Sequence, residues 1–396
     1  MLEVVSLFRE QGTVDELGIG PVREAISSAL FPGLSVLHTR ARYLLFIPWL
    51  ARMLEAEHVP SRLAAARFRR LEIQLIYALI SGEGEEDPGK GIIGIDARDD
   101  LKRMPSVVYW GALRRFGLLR HPGTVNQYLR SFDSARRADR HASKDDEGEL
   151  TEAGYGAWHG GLPEPPEGLL DEATFQLGIE EADYLEERIL TSVPGSLFAH
   201  LIAERVAADV DEPWQHPALA SAGPQVRRAT DHARAFSVVM HAASLTYNLV
   251  LARKVRDLHG RDEDDRVEKY RELLADWADE VDADATFFER WDLDDFWLLV
   301  TAHNPRIHPF SRDFVLRWAG RALTDPAGLA DDDEAARLVS DRERRVKGPL
   351  ARVADLRQLE RWSGASGLGR LDYRWSGAAR AIVRDIVDAR RPAKVA

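Results

Sequence analysis

Apolar residues recur three and four positions apart along most of this chain, the spacing that gathers side chains on one face of an α-helix. Residues 21–31 (PVREAISSALF) open with a proline suited to a first helical turn and stop at Pro32-Gly33. A second helix is expected to include Thr39-Arg40-Ala41-Arg42-Tyr43 and to run into LLFIPWLARMLEAE. Pro48 should kink it or begin a new helix, because an internal proline removes a backbone hydrogen bond. Residues 61–80 carry one broad apolar face, and the three helices should pack together. The segment SGEGEEDPGKG that follows has the composition of an acidic loop. Met104-Pro105-Ser106 then opens the helix SVVYWGALRRF, which Gly117 should end. Thr124 is placed to cap the next one, VNQYLRSF.

From residue 134 to about 166 the chain is polar and rich in Gly, Pro and charge, as a linker or long surface loop would be. Amphipathic helices are predicted beyond it over 179–190, 195–208, 225–258, 270–281, 293–303, 309–323, 332–346, 353–362 and 376–390. Strand signals are few, and no repeat of solenoid period is present. The fold class expected is therefore mainly α: a multi-helix protein with a candidate helix-turn-helix element and little or no sheet. At 396 residues the chain exceeds what one hydrophobic core usually organises. The expected organisation is an N-terminal helical unit with a basic hairpin (1–145), a linker or surface loop (146–178), an acidic helical unit (179–330), and a basic C-terminal helical segment packing on the rest (331–396).

Charge changes this picture more than composition does. The net charge of −12 conceals two basic stretches: residues 101–144 hold 10 Lys/Arg against 2 Asp/Glu, and residues 337–396 hold 15 against 7. Between them, residues 145–336 hold 17 against 41. Only 7 of the 53 basic residues are Lys, a bias that a GC-rich genome produces without selection for phosphate binding. The absence of Cys excludes disulfides, thiolate ligands and cysteine nucleophiles. The longest apolar run, YLLFIPWL at 43–50, is far shorter than the roughly 20 residues of a bilayer span. With an acidic N-terminus unlike a secretory signal, the expectation is a cytoplasmic protein with no membrane association.

The strongest chemical lead is the basic helical hairpin. Arg114, Arg115, Arg120, Asn126, Gln127 and Arg130 are residue types that contact phosphates or base edges, and the second helix would present Asn126, Gln127 and Arg130 to the major groove of double-stranded DNA. Val107, Val108, Trp110, Leu113 and Tyr128 should hold the pair together. Arg40 and Arg42, beside an apolar run, are further anion-binding candidates, although pairing with internal acids such as Asp15 or Glu24 is the simpler role. Gly84 to Gly91 has P-loop spacing but ends in Gly where Ser or Thr is needed, and it carries three carboxylates that would repel phosphate. The acidic runs at 262–265, 282–284, 292–295 and 331–333 are explained by helix dipoles and solubility more simply than as magnesium sites. His303 and His308 lack the spacing of a zinc helix, and no metal or cofactor is expected. His241, Ser244 and Asn248 fall along one face of the long helix, as a buried polar network would.

Three blocks, at 17–50 (with TRARY), 105–118 (PSVVYWGALRRFGL) and 359–386 (with YRW), together resemble a bacterial family catalogued only as a domain of unknown function. That resemblance spans nearly the whole chain and treats the blocks as parts of one protein. It implies no catalytic residues, and it implies a setting near bacterial restriction or anti-phage genes. The function expected is a non-catalytic DNA-associated accessory component of a bacterial defence or genome-maintenance system, with other defence proteins as partners. The rivals are a metal-dependent nuclease or hydrolase and an interaction scaffold that binds no nucleic acid.

Overall fold

The computed structural model describes residues 15–84, 91–137, 156–259 and 265–390. In these the chain is mainly α, without a sheet; an isolated antiparallel bridge joins Leu119 to Trp158. The helices are α1 (Gly20–Leu30), α2 (Tyr43–Ala56), α3 (Ser61–Glu83), α4 (Pro105–Arg115), α5 (Val125–Arg130), α6 (Ile179–Ser192), α7 (Leu197–Glu204), α8 (Pro224–His259), α9 (Arg266–Ala283), α10 (Ala285–Glu289), α11 (Leu293–His303), α12 (Pro309–Thr324), α13 (Asp333–Lys347), α14 (Leu356–Glu360) and α15 (Arg380–Asp388). They form two units that do not follow the four sequence segments. One comprises Met1–Leu30 with Arg227–Tyr373, the other Phe31–Val226 with Arg374–Ala396.

The first unit is organised by α8. Its window Pro224–Leu258 is long and apolar enough to cross a membrane, and 89% of that window is buried inside the fold. A helix apolar on every side is the centre of a bundle. Ala233, Ala235, Ala242, Ala243 and Ala252 are buried and let neighbours approach closely. The indoles of Trp277 and Trp318 donate to the carbonyls of Val238 and Val239 at 2.9 Å each, and the Tyr373 hydroxyl donates to Ala233 at 2.8 Å. These aromatic donors fix how the surrounding helices sit on α8. Near the other end, Glu343 is fully buried. It accepts from the Tyr247 hydroxyl, Lys347 and the backbone amides of Arg352 and Val353, while Glu16 pairs with Lys347 and Arg352.

The second unit depends on the TRARY block. Tyr109 accepts the amides of Thr39 (2.8 Å) and Arg40 (3.0 Å) and donates to the Arg40 carbonyl, and the Thr39 hydroxyl donates to Gly91. Arg40 grips Asp385 of α15 through Nε and Nη2, and the Ala41 amide adds a third donor to that carboxylate at 2.8 Å. Arg42 bonds Glu181 of α6 at 2.7 Å and the Thr174 carbonyl at 2.8 Å. Residues 39–42 therefore precede the helix instead of lying in it, because the amides of Thr39, Arg40 and Ala41 are held from outside. The anion-binding candidates Arg40 and Arg42 are both engaged by internal acids. The acids are Asp385 and Glu181, not Asp15, which caps α1 through the amides of Ile19 and Gly20.

Pro48 neither ends α2 nor starts another helix; the helix continues through it to Ala56. Tyr43 to Ala51 are all buried, so packing outweighs the one lost hydrogen bond. Two C-terminal boundaries also moved. Helix α7 stops at Glu204, where Arg205 turns to φ +54°, and the helix expected over 353–362 is confined to α14. Within the polar stretch 146–178, residues 146–155 lie outside the described residues. Of the remainder, Trp158, Leu162, Leu169, Phe175 and Leu177 are buried, so this part belongs to the core of its unit.

The Arg40–Asp385 pair, whose carboxylate is buried while the Arg40 side chain is 25% exposed, yields a stability prediction. Removing one partner of a buried ion pair costs about 3–5 kcal/mol, whereas replacing both by apolar groups is often close to neutral. In urea unfolding, Asp385→Ala should lose stability on the order of 3 kcal/mol, and the double variant Arg40→Met/Asp385→Leu should recover most of it. Equal losses in both would show that the uncompensated charge is not the cause.

Candidate nucleic-acid interface

The basic hairpin is built from α4 and α5. Pro105 opens α4 where a missing amide costs nothing, and the first free amide, that of Ser106, donates to Glu72 Oε1 of α3 at 2.7 Å. No side chain of its own caps this helix; Glu72, only 2% exposed, reaches in from α3 instead. Burial pushes Glu72 up to about 7, against the lowering effect of its Ser106 hydrogen bonds and of Arg69. The helix ends as expected at Gly117, whose φ of +71° favours glycine, and the Leu118 amide closes back on the Leu113 carbonyl at 2.9 Å. Thr124 caps α5 in a full capping box with Gln127.

An aromatic cluster sets the turn between the helices. Trp110 lies 5.5 Å from Tyr128 and 5.8 Å from Trp158, and Tyr128 lies 5.6 Å from Trp158, centroid to centroid. The Trp110 indole donates to the Gly123 carbonyl at 2.7 Å and the Trp158 indole to the Tyr128 hydroxyl at 3.0 Å. Trp110, Leu113 and Tyr128 are buried as expected. Val107 is not: it is 51% exposed and aligns with Gly111 and Arg114 on the outer strip of α4. A Cβ placed on Gly111 would meet nothing within 4 Å, so this strip is open.

All six expected contact residues, Arg114, Arg115, Arg120, Asn126, Gln127 and Arg130, are exposed. They occupy different parts of the hairpin. Arg114 stands on the outer strip of α4, while Arg115 runs along Gly33, where a Cβ would be 2.9 Å from its Cγ. Arg120 follows the bridge residue Leu119, its amide donating to Ala157 at 2.7 Å. Asn126 and Arg130 lie on the outside of α5. Gln127 is partly committed, since its Oε1 accepts the Thr124 amide at 2.8 Å. Arg120, His121, Tyr128, Phe132 and Arg136 also line a cavity of about 550 Å³.

The structure adds Lys102, Arg103 and Arg137, which are exposed on the same stretch. None of Lys102, Arg103, Arg114, Arg115, Arg120, Arg130 and Arg137 pairs with a described carboxylate. Within residues 101–137 the acid is Asp133, which is held by Arg136 and by the Ser61 amide. The C-terminal basic stretch differs in part: Arg337, Arg345, Arg357 and Arg361 are exposed with no described carboxylate partner, but others are paired. Arg352 and Lys347 pair with Glu16, Arg370 with Glu280, Arg380 and Arg384 with Asp209, and Arg390 with Asp183 and Glu186. The sequence missed this difference because charge counts do not say which carboxylates come within reach.

The acidic runs are likewise engaged. Asp284 pairs with Arg234, Asp331 with Arg253 and Arg271, and Asp332 with Arg321. Asp292 caps α11, and Asp295 is held by Arg228 and His232. His232 offers no free nitrogen, because its Nδ1 accepts the Trp291 indole at 3.2 Å. Of the run at 262–265, residues 262–264 lie outside the described residues, as do residues 85–90 of the P-loop-like segment. Among the described residues, no group of three His, Asp or Glu is placed to hold a metal ion. In α8, Asn248 is fully used, donating to the Ser244 and Ser366 carbonyls and accepting from Trp362 and Ser366. Burial lowers His241 to about 3, so it is neutral.

Compared with known proteins, residues 2–390 match the model of a family of unknown function, DUF6361. No curated protein and no solved structure matches the chain.

The capping carboxylate gives a pH prediction. Its folded pKa of about 7 lies above the unfolded value of 4.5, so the folded chain holds the extra proton between these limits. Stability from this group then falls as pH rises through that window. Glu72→Gln keeps an acceptor for Ser106 but cannot ionise. Its melting temperature relative to wild type should rise from about pH 5 to about pH 8; a constant difference would contradict this account of Glu72.

Proposed function

The chain belongs to DUF6361, a family that carries no assigned activity, and from the surface described above we propose that it is a non-catalytic DNA-associated accessory protein that binds duplex DNA through the α4–α5 hairpin. The observation that carries this reading is the contrast between the two basic stretches. In the C-terminal one Arg344, Lys347, Arg352, Arg370, Arg380, Arg384 and Arg390 pair with carboxylates and Arg337, Arg345, Arg357 and Arg361 do not, while in the hairpin stretch Lys102, Arg103, Arg114, Arg115, Arg120, Arg130 and Arg137 all stand exposed without a described acid partner. Unpaired surface guanidinium groups retain their full capacity to make bidentate bonds to phosphate.

Backbone contact dominates this mode over base reading. Helix α5 has six residues, and the carbonyl end of Gln127 is occupied by its own cap, which leaves Asn126 and Arg130 as the base-edge candidates of a helix-turn-helix arrangement. The cations around the hairpin suit a duplex backbone of any sequence. A role in bacterial defence or genome maintenance is the setting suggested by the resemblance of the TRARY and YRW blocks.

Gel-shift titration tests this reading. Affinity for a duplex should fall steeply with salt, with a log–log slope of about −0.9 per phosphate neutralised. Arg115→Ala/Arg130→Ala should bind more weakly at low salt, and its slope should be shallower by roughly 2. Equal binding by variant and wild type at both ends of the salt range would remove the hairpin as the binding site.

A further inference from the structure

Tyr184 and Arg188 are four residues apart on α6, so their side chains project from one face of that helix. The bridge between Leu119 and Trp158 does the equivalent for Arg120 and His159. Paired residues in an antiparallel bridge point to the same side and their neighbours to the other, so Leu119 and Trp158 turn into the core, where both are buried. Arg120, across from Ala157, and His159, across from Leu118, therefore lie diagonally on the opposite face.

The two pairs meet. Arg188 Nη1 lies 3.0 Å from His159 Nε2, and the Tyr184 hydroxyl lies 3.3 Å from His159 Nδ1. Gly117 makes room for the guanidinium, since a Cβ there would come within 3.1 Å of Arg188 Nη2.

The donors of this cluster outnumber its acceptors. A guanidinium only donates, so Nε2 of His159 faces a donor, and Nδ1 faces another, the Gly161 amide at 3.3 Å; the single acceptor nitrogen of a neutral imidazole cannot serve both. The Tyr184 hydroxyl lies on the same Nδ1 side of the ring as the Gly161 amide. Burial holds His159 below its usual value, and Arg188 and then Arg120 lower it further, while Glu187 opposes them. Among the described residues, Arg120 has no ion-pair partner, and Arg188 bonds His159 and, at 3.4 Å, the Phe116 carbonyl. Arg52, whose charge also reaches Tyr184, is paired with the exposed Glu164 at 3.4 Å.

We propose that Arg120 and Arg188, with Tyr184 as a neutral donor and His159 orienting both Arg188 and Tyr184, form a phosphate-binding site. Two unneutralised guanidinium groups beside a phenol suit a tetrahedral oxyanion, whose oxygens accept from all three. The phosphate is one carried by a nucleic-acid strand, and this part of the inference rests on the DNA-binding reading. The same chemistry fits either an internal phosphodiester or a terminal phosphomonoester. Bound phosphate offsets the two cations that disfavour the imidazolium, so His159 gains a proton more easily when the site is filled.

The test is NMR of the full chain with labelled histidines, with the His159 signal assigned by the loss of a resonance in His159→Gln. Inorganic phosphate is titrated against sodium chloride of matched ionic strength, followed by a duplex bearing or lacking 5′-phosphates. Phosphate should shift the His159 signal and raise its titration midpoint. Arg120→Gln, on an exposed position that leaves the fold intact, and Arg188→Gln should each weaken this response about tenfold, and Arg130→Gln should leave it unchanged. A response to both duplexes assigns the phosphodiester, and a response only to the phosphorylated one assigns the strand end. An identical shift with chloride, or none with phosphate, overturns the site. Duplex binding with a silent His159 also overturns it. A normal phosphate response in a chain that binds no duplex overturns the DNA reading and leaves the phosphate site standing.

Discussion

Asp385 holds the second unit together. Its carboxylate receives two nitrogens of Arg40 and the Ala41 amide, joining positions 345 residues apart just before α2 begins. That contact sets where α2 starts, and α2 packs against α3 and α4. Helix α3 in turn supplies Glu72, which caps α4, and α4 carries Arg114 and Arg115 to the surface before Gly117 turns the chain toward Arg120. The exposed basic hairpin is thus the last step in a series of buried polar contacts, each of which would be costly to leave half-made.

Two stretches with the same excess of positive charge differ in how many of their cations meet a described carboxylate. In the C-terminal stretch, Lys347, Arg352, Arg370, Arg380 and Arg390 meet carboxylates within their own units and bind segments together. The hairpin arginines come from a stretch whose sole described acid, Asp133, already has a partner. Surface ion pairs contribute at most about 1 kcal/mol, so pairing these cations would have added little to stability. Left unpaired, they are available to an external anion, and Arg188 adds another from helix α6.

Much of this was legible in the sequence because it depends on local chemistry. Apolar spacing located α1, α3, α8, α11, α12 and α13 within a few residues, and Thr124, Gly117 and Pro105 marked the hairpin's caps and turn. What was not legible came from distant partners. Thr39 to Arg42 read as helix until Tyr109 and Asp385 are known to hold their amides, and Val107 read as core although α4 turns it outward. The acids for Arg40 and Arg42 were sought nearby in sequence and lie 345 and 139 residues away. The cluster of Arg120, His159, Tyr184 and Arg188 depends on a two-residue bridge too short to leave a strand pattern.

The central claim is that the exposed, unpaired hairpin is where nucleic acid binds. Hydrogen exchange of the full chain, with and without a saturating short DNA duplex, tests it most directly. The account predicts slower amide exchange in residues 105–137 and around 157–161, with α8 and the aromatic core of its unit unchanged. Protection confined to the Arg227–Tyr373 portion, or none anywhere at saturation, would contradict it.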